Sequence, residues 1–292
     1  MELTITQMPD RGFLGGPKEA SFSGSISGAS YDITVSQLLR REIKVITHGS
    51  YEDCLSVYNT IETLLMVIDG QFYPTIKAYD GADITESWNK RRIASYCSAD
   101  FMIGQDNCLL SFDDVLGSDL FQKWHSIKEE LQLIHKMVLY CLSSTDIPVD
   151  MKCAFMVEAF LGVAELISTR DSSFILPHVP KKESKLKYYF MAVGDKYGAK
   201  IFSEEFSRNK NAFATILVNS RNRIAHIKSK QGKRYLNGPE SVMYLMKLSL
   251  LYRVVILDLI DIPKEKYEHA LLSQIQRINA HETMTAFLNT LQ

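Results

Sequence analysis

Arg221, Asn222 and His226 stand within six consecutive positions near the C-terminal end of a predicted helix. A guanidinium presents a fixed fork of N–H donors that matches the oxygens of a phosphate. An imidazole, with an unperturbed pKa of about 6.5, can take or give a proton near neutrality. An amide can orient that ring or bind an oxyanion. Side by side, these groups suit acid–base chemistry at a centre where negative charge develops. The surroundings are basic. Arg221, Arg223, Lys228, Lys230, Lys233 and Arg234 follow one another with no Asp or Glu between them. Such a run is a local patch for a polyanion such as RNA. The plainer alternative is that cations at a helix C-terminus stabilise its last carbonyls.

The element that must position these residues is legible upstream. Phe206, Phe213, Ile216, Leu217 and Ile224 recur at helical spacing and predict one buried stripe. Ser203 suits the N-cap, and Glu204 and Glu205 fall where the helix dipole favours acid. At about 100° per residue, Asn222 and His226 share a face one turn apart, whereas Arg221 points about 140° away from His226. One helix therefore presents Arg and His poorly to a single phosphate. Two copies around a two-fold axis could place the Arg of one beside the His of the other.

The next layer is a broadly apolar helix opened by Asp150, with Phe155, Val157, Phe160, Leu161, Ala164 and Ile167. Glu158 and Glu165 share a side of it, and either could orient Arg221 or His226. A loop over 169–183 and a helix from Ser184 to Tyr197 lead to the motif helix. A basic loop then ends at Asn237-Gly238. Pro239 opens a strongly apolar helix, Pro263 opens another, and a final helix runs to Leu291.

The first half reads differently. Leu3–Thr6, Tyr31–Val35 and Glu42–Thr47 predict short strands, with Phe72–Tyr79 and Arg92–Cys97 as two more. Between the first two, Gly12, Gly15, Gly16, Gly24 and Gly28 mark a loop-rich stretch. Gly15-Gly16-Pro17-Lys18 lacks the spacing of a phosphate-binding loop. Tyr51–Ile68 predicts a helix ended by Gly70, and Ser118 caps a long helix to about Leu142. Lys90-Arg91-Arg92 beside Trp88 reads as a solvated turn against a core Trp rather than an RNA contact. His125 and His135 are ten apart, too far for one metal site on a helix. The polar break Ser143–Asp146 marks a division into an α+β region with short strands, 1–145, and a helical bundle, 146–292. The fold class is therefore mainly α.

Composition sets the outer limits. The 292 residues are 46% hydrophobic and 23% charged, with a net charge of −1, so nucleic acid would be held by local patches. Cys54, Cys97, Cys108, Cys141 and Cys153 are scattered, odd in number and without zinc-ligand rhythm, which predicts reduced thiols and a cytoplasmic setting. No basic segment followed by an apolar run suggests a signal peptide. The apolar stretch Leu248–Ile260 is broken by Arg253 and Asp258, so it predicts a buried helix and no membrane span.

An Arg, then a polar residue, then a His a few positions on, at the end of a helix and before a basic loop and an apolar helix, resembles the motif of the HEPN superfamily of helical ribonucleases. Over about 150–292 the likeness is closest to the ApeA-like group, linked to defence against phage. The resemblance implies a homodimeric, metal-independent endoribonuclease with Arg221, Asn222 and His226 at the subunit interface, Glu165 or Glu158 in support, and no cofactor. RNA supplies its own nucleophile, the 2′-hydroxyl, and the expected products are a cyclic phosphate and a free 5′-hydroxyl. The resemblance also implies a phage-defence or toxin role, with an antitoxin or trigger as partner and a sensing or regulatory N-terminal region. The competing expectation is a HEPN-like module that binds RNA or a partner without cutting.

Overall fold

A computed structural model describes residues 1–8, 16–71, 73–91, 107–142, 147–226 and 232–291. The expected strand Arg92–Cys97, the break Ser143–Asp146, Gly12, Gly15, Lys228 and Lys230 lie outside the described residues. The chain divides into two compact units. One comprises Met1–Glu129 with Leu142–Thr145, the other Glu130–Cys141 with Asp146–Gln292.

The first unit is built on an antiparallel five-stranded sheet, ordered β2-β3-β4-β1-β5. Its strands are β1 (Glu2–Gln7), β2 (Lys18–Ile26), β3 (Ala29–Gln37), β4 (Arg41–Thr47) and β5 (Thr75–Tyr79). Strict alternation puts Leu3, Ile5, Ile33, Val35, Ile43 and Val45 in the core and Ser, Thr, Lys and Glu on the other face. The stretch before Gly28 is not all loop, as expected from its glycines. It contains β2, an edge strand of Ser, Gly and Ala with Phe22 and Ile26 as its only large apolar residues. Two features fix it there. Ser27 and Gly28 have φ of 52° and 86°, the left-handed pair of a tight hairpin. A Cβ on Gly24 would lie 2.4 Å from the Tyr31 hydroxyl, so only glycine lets β2 pass that ring.

Helix α1 (Tyr51–Asp69) covers the apolar face of the sheet. Ser50 and Asp53 form its capping box, and Gly70, at φ 75°, ends it. Helix α2 (Thr85–Arg91) replaces the expected turn, and buries Trp88 against the Tyr58 ring at 5.2 Å. Lys90 pairs with Glu86 on the same helix. The expected single helix from Ser118 to Leu142 is two, α3 (Ser118–Leu131) and α4 (Leu133–Leu142). Gln132, at φ 39°, adopts a left-handed backbone that cannot continue a right-handed helix.

The second unit is a helical bundle of α4, α5 (Val149–Arg170), α6 (Lys185–Tyr197), α7 (Ser203–His226), α8 (Gly238–Leu259), α9 (Glu268–Asn279) and α10 (Glu282–Asn289). Helix α5 packs on α6, α7 and α8. Among them lies an aromatic core in which the Phe213 ring meets Phe190, Phe202, Phe206, Tyr244 and Phe287 at 5.1–6.3 Å. His135 is buried too, its Nδ1 2.9 Å from the Tyr252 hydroxyl. Burial pushes the Cys141 thiol up to about 12 and raises Cys153 as well, so both stay protonated and inert.

A charge pair runs through this core. Glu205 and Lys247 are both 0% exposed and meet at 2.6 Å, and Tyr244 donates to the same carboxylate oxygen at 3.0 Å. Burial pushes the Lys247 ammonium down, and Glu205 opposes that shift. Glu205 is a first-turn acid of α7, where the helix dipole favours one, and it is also the tie between α7 and α8. Lys247→Met should cost about 3–5 kcal/mol, because it strands a buried carboxylate. Adding Glu205→Gln should restore most of that loss, as measured by urea denaturation midpoints.

Candidate functional site

Helix α7 is two helical segments joined end to end. At Asn209 the backbone is extended, with φ −163° and ψ 85°. The Asn209 side-chain oxygen accepts the Ala212 backbone N–H at 3.0 Å, so Asn209 caps the second segment. That segment buries Phe213, Ala214, Ile216, Leu217 and Val218 and then emerges, half-buried, at Arg221 and Asn222. His226 is the last residue of α7.

Arg221 lies on the flank that faces α5. Its Nε donates to Glu158 Oε2 at 2.6 Å and its Nη1 to Asn222 Oδ1 at 3.0 Å. The Arg221 and Glu158 side chains are 27% and 31% exposed, so the pair sits at the rim of the bundle rather than inside it. A guanidinium has five N–H groups. Two are held here, one on Nε by Glu158 and one on Nη1 by Asn222. With its oxygen on Arg221, Asn222 keeps its amide nitrogen as a donor. Glu158 is thus the acid that meets Arg221. Glu165, one helical repeat further along α5, pairs instead with Lys185 of α6 at 2.7 Å, and that bond raises the Lys185 ammonium.

The opposite flank of the helix holds the returning chain. Asn219 Nδ2 donates to the Arg234 carbonyl at 3.2 Å. Ser220 Oγ accepts the Leu236 N–H at 2.8 Å and donates to the Ile216 carbonyl at 2.8 Å. Leu236 is buried, and Arg234 pairs with Glu240, the third residue of the capping box that Asn237 opens on α8. Of the basic residues expected to meet RNA, Arg234 is therefore committed to Glu240 and to the face of Phe287 at 5.4 Å. Lys233 is exposed. Arg223 is exposed and its guanidinium lies 4.1 Å over the Tyr235 ring. Tyr235, Asn219 and Ser220 carry no motif of their own. The available signal was one aromatic set among cations in the basic loop.

This geometry can hold an anion between a fixed guanidinium edge and an amide donor, next to the helix end that carries His226. Residues 163–266 match the family model described as Apea-like HEPN, a span from the middle of α5 to the short 3-10 turn Lys264–Lys266. It includes Arg221, Asn222, His226 and Tyr235 but starts after Glu158. HEPN domains are associated with ribonuclease and defence functions, and commonly dimerise and bind RNA. No curated protein and no solved structure matches the chain. Among the described residues, no helix is long and apolar enough to cross a membrane.

The two flanks should respond differently to substitution. Ser220→Ala leaves the Leu236 N–H without its acceptor and should cost about 1–2 kcal/mol of stability. Glu158→Gln, at the solvated rim, should cost less than about 1 kcal/mol. Thermal or urea unfolding of both variants checks this ranking.

Proposed function

We propose, from the match of residues 163–266 to the Apea-like HEPN model, that the chain is a metal-independent endoribonuclease of the HEPN kind. The observation that carries this reading is the Glu158–Arg221–Asn222 chain of hydrogen bonds at the tip of α7. It fixes a guanidinium at the rim, five residues before His226.

In this reading the 2′-hydroxyl of RNA attacks the adjacent phosphorus and the P–O5′ bond breaks. One imidazole takes the proton from O2′, and a proton is returned to O5′ by an imidazole acting as acid. The His226 side chain supplies these groups. Arg221 stabilises the charge that builds on the phosphoryl oxygens. Asn222 binds a non-bridging oxygen or orients the imidazole through its amide nitrogen, and Glu158 positions Arg221. Products carry a cyclic phosphate and a free 5′-hydroxyl.

Helical register argues for two copies. Arg221 and His226 point about 140° apart on one helix, so the pair converges on one phosphate when a two-fold axis brings the Arg of one subunit to the His of the other. The enzyme would act in the cytoplasm, in phage defence or as a toxin, with the sheet-containing unit sensing a trigger or restraining the nuclease. A module that binds without cutting is the second reading. Its support is that a guanidinium held by a carboxylate at a helix end also serves structure alone.

Cleavage of a labelled, structured RNA in excess EDTA tests the proposal. Wild type should cut, and His226→Ala should lose at least about a hundredfold in rate. A mixture of His226→Ala and Arg221→Ala should recover part of the activity if the site is shared between subunits. Equal cutting by wild type and His226→Ala, or a 5′-phosphate product, would overturn the mechanism. Stoichiometric RNA binding without cutting would favour the module.

A further inference from the structure

Tyr235 is a large aromatic residue left 37% exposed beside the tip of α7, and it is held rather than loose. The backbone on both sides of it is bonded to α7, through the Arg234 carbonyl to Asn219 and the Leu236 N–H to Ser220. Leu236, the next residue, is buried, and the Arg234 side chain is anchored on Glu240. Arg223 then lays its guanidinium 4.1 Å over the ring. By helical register Asn219, Arg223 and His226 fall within an arc of about 60°. Tyr235 is therefore on the His226 flank of α7, not on the flank where Glu158 holds Arg221.

We infer that Tyr235 and Arg223 form a stacking platform for an unpaired base, so that the RNA handled at this tip is single-stranded at the nucleotide bound there. This rests on the reading of the tip as an RNA-handling site and names its substrate class. Three physical points carry it. A flat ring backed by a guanidinium plane offers the π surface on which any base can stack, without a hydrogen-bond code. A base inside a duplex is already stacked on its neighbours and cannot use that surface. The ring also costs little entropy to use, because its backbone is fixed before any ligand arrives. As a lone surface feature, an Arg–Tyr contact would need no such fixation on both sides.

The probe is an unstructured RNA of about 12 nucleotides carrying 2′-O-methyl riboses, which cannot be cut by 2′-hydroxyl attack, used alone and annealed to its complement. By fluorescence anisotropy, wild type should prefer the single strand. Tyr235→Phe should keep that preference. Tyr235→Ala should weaken single-strand binding roughly tenfold or more while leaving duplex binding unchanged. Equal losses for both forms, no loss for either, or a preference for duplex would overturn the inference. A second readout does not depend on the alanine variant folding. In Tyr235→Trp the new indole is the exposed one, since Trp88 and Trp124 are buried, and its emission should be quenched by the single strand. No quenching would also overturn the platform. Because the probe is not cleaved, the two readings separate. Quenching in a protein that never cuts RNA rejects the ribonuclease and keeps the platform. Cutting that needs His226 but is indifferent to Tyr235→Ala does the reverse.

Discussion

The meeting of Glu205 and Lys247, out of reach of water, is the constraint from which the geometry of the second unit follows. A buried pair of this kind adds little net stability, since desolvation of both ions offsets most of their attraction. What it supplies is uniqueness. The first turn of α7 can dock on α8 in one way only, because any other rotation would leave a carboxylate and an ammonium unmatched among Phe202, Phe213 and Tyr244. Four residues later Asn209 stops the helix and caps a new one. The second segment therefore starts from a fixed point with a rotation of its own, and its apolar stripe locks that rotation into the aromatic core.

The tip inherits this order. Once Phe213 and Leu217 are buried, the helical period leaves Arg221 toward α5, where Glu158 waits, and leaves Asn219 and Arg223 on the other side. The return from the basic loop is pinned there by Ser220 and by the capping box of α8. Two flanks of one helix thus carry two kinds of side chain, a charged fork on one and a flat ring on the other. Neither is on a freely hinged loop, and both depend on the same rotation.

Much of this was legible in the residues themselves. The apolar positions Phe213, Ile216 and Leu217, the helix that ends at Tyr197 and the start at Pro239 each have a local physical cause that tertiary packing leaves intact. What could not be read was of two kinds. One was backbone conformation at residues that ordinarily tolerate helix, namely Gln132 and Asn209, where a left-handed and an extended residue divide helices that periodicity alone would join. The other was the choice between equivalent partners. Glu158 and Glu165 share a side of α5, and only the position of α7 along that side selects Glu158, while α6 brings Lys185 to Glu165. The strand β2 was hidden for a third reason. An edge strand of Ser and Gly has almost no apolar alternation, and its evidence lies in the Ser27-Gly28 turn and in the closeness of Tyr31.

Glu158 also sets a division of labour among the cations. A carboxylate 2.6 Å from Arg221 cancels much of that residue's long-range attraction for an anion. It would be a poor arrangement if Arg221 had to draw a polyanion from solution. It is a good one if Arg221 must hold a fork at a fixed angle, because a guanidinium that is already bonded on its inner edge loses little further freedom when a phosphate takes the outer one. Attraction must then come from cations that are not so neutralised. Arg234 cannot supply it, being paired with Glu240, whereas Arg223, on the other flank, and Lys233, in the returning loop, are exposed. On the proposed reading, capture on the side of Tyr235 and alignment on the side of Glu158 would be separate tasks, placed on separate faces of a helix whose rotation was fixed far from both.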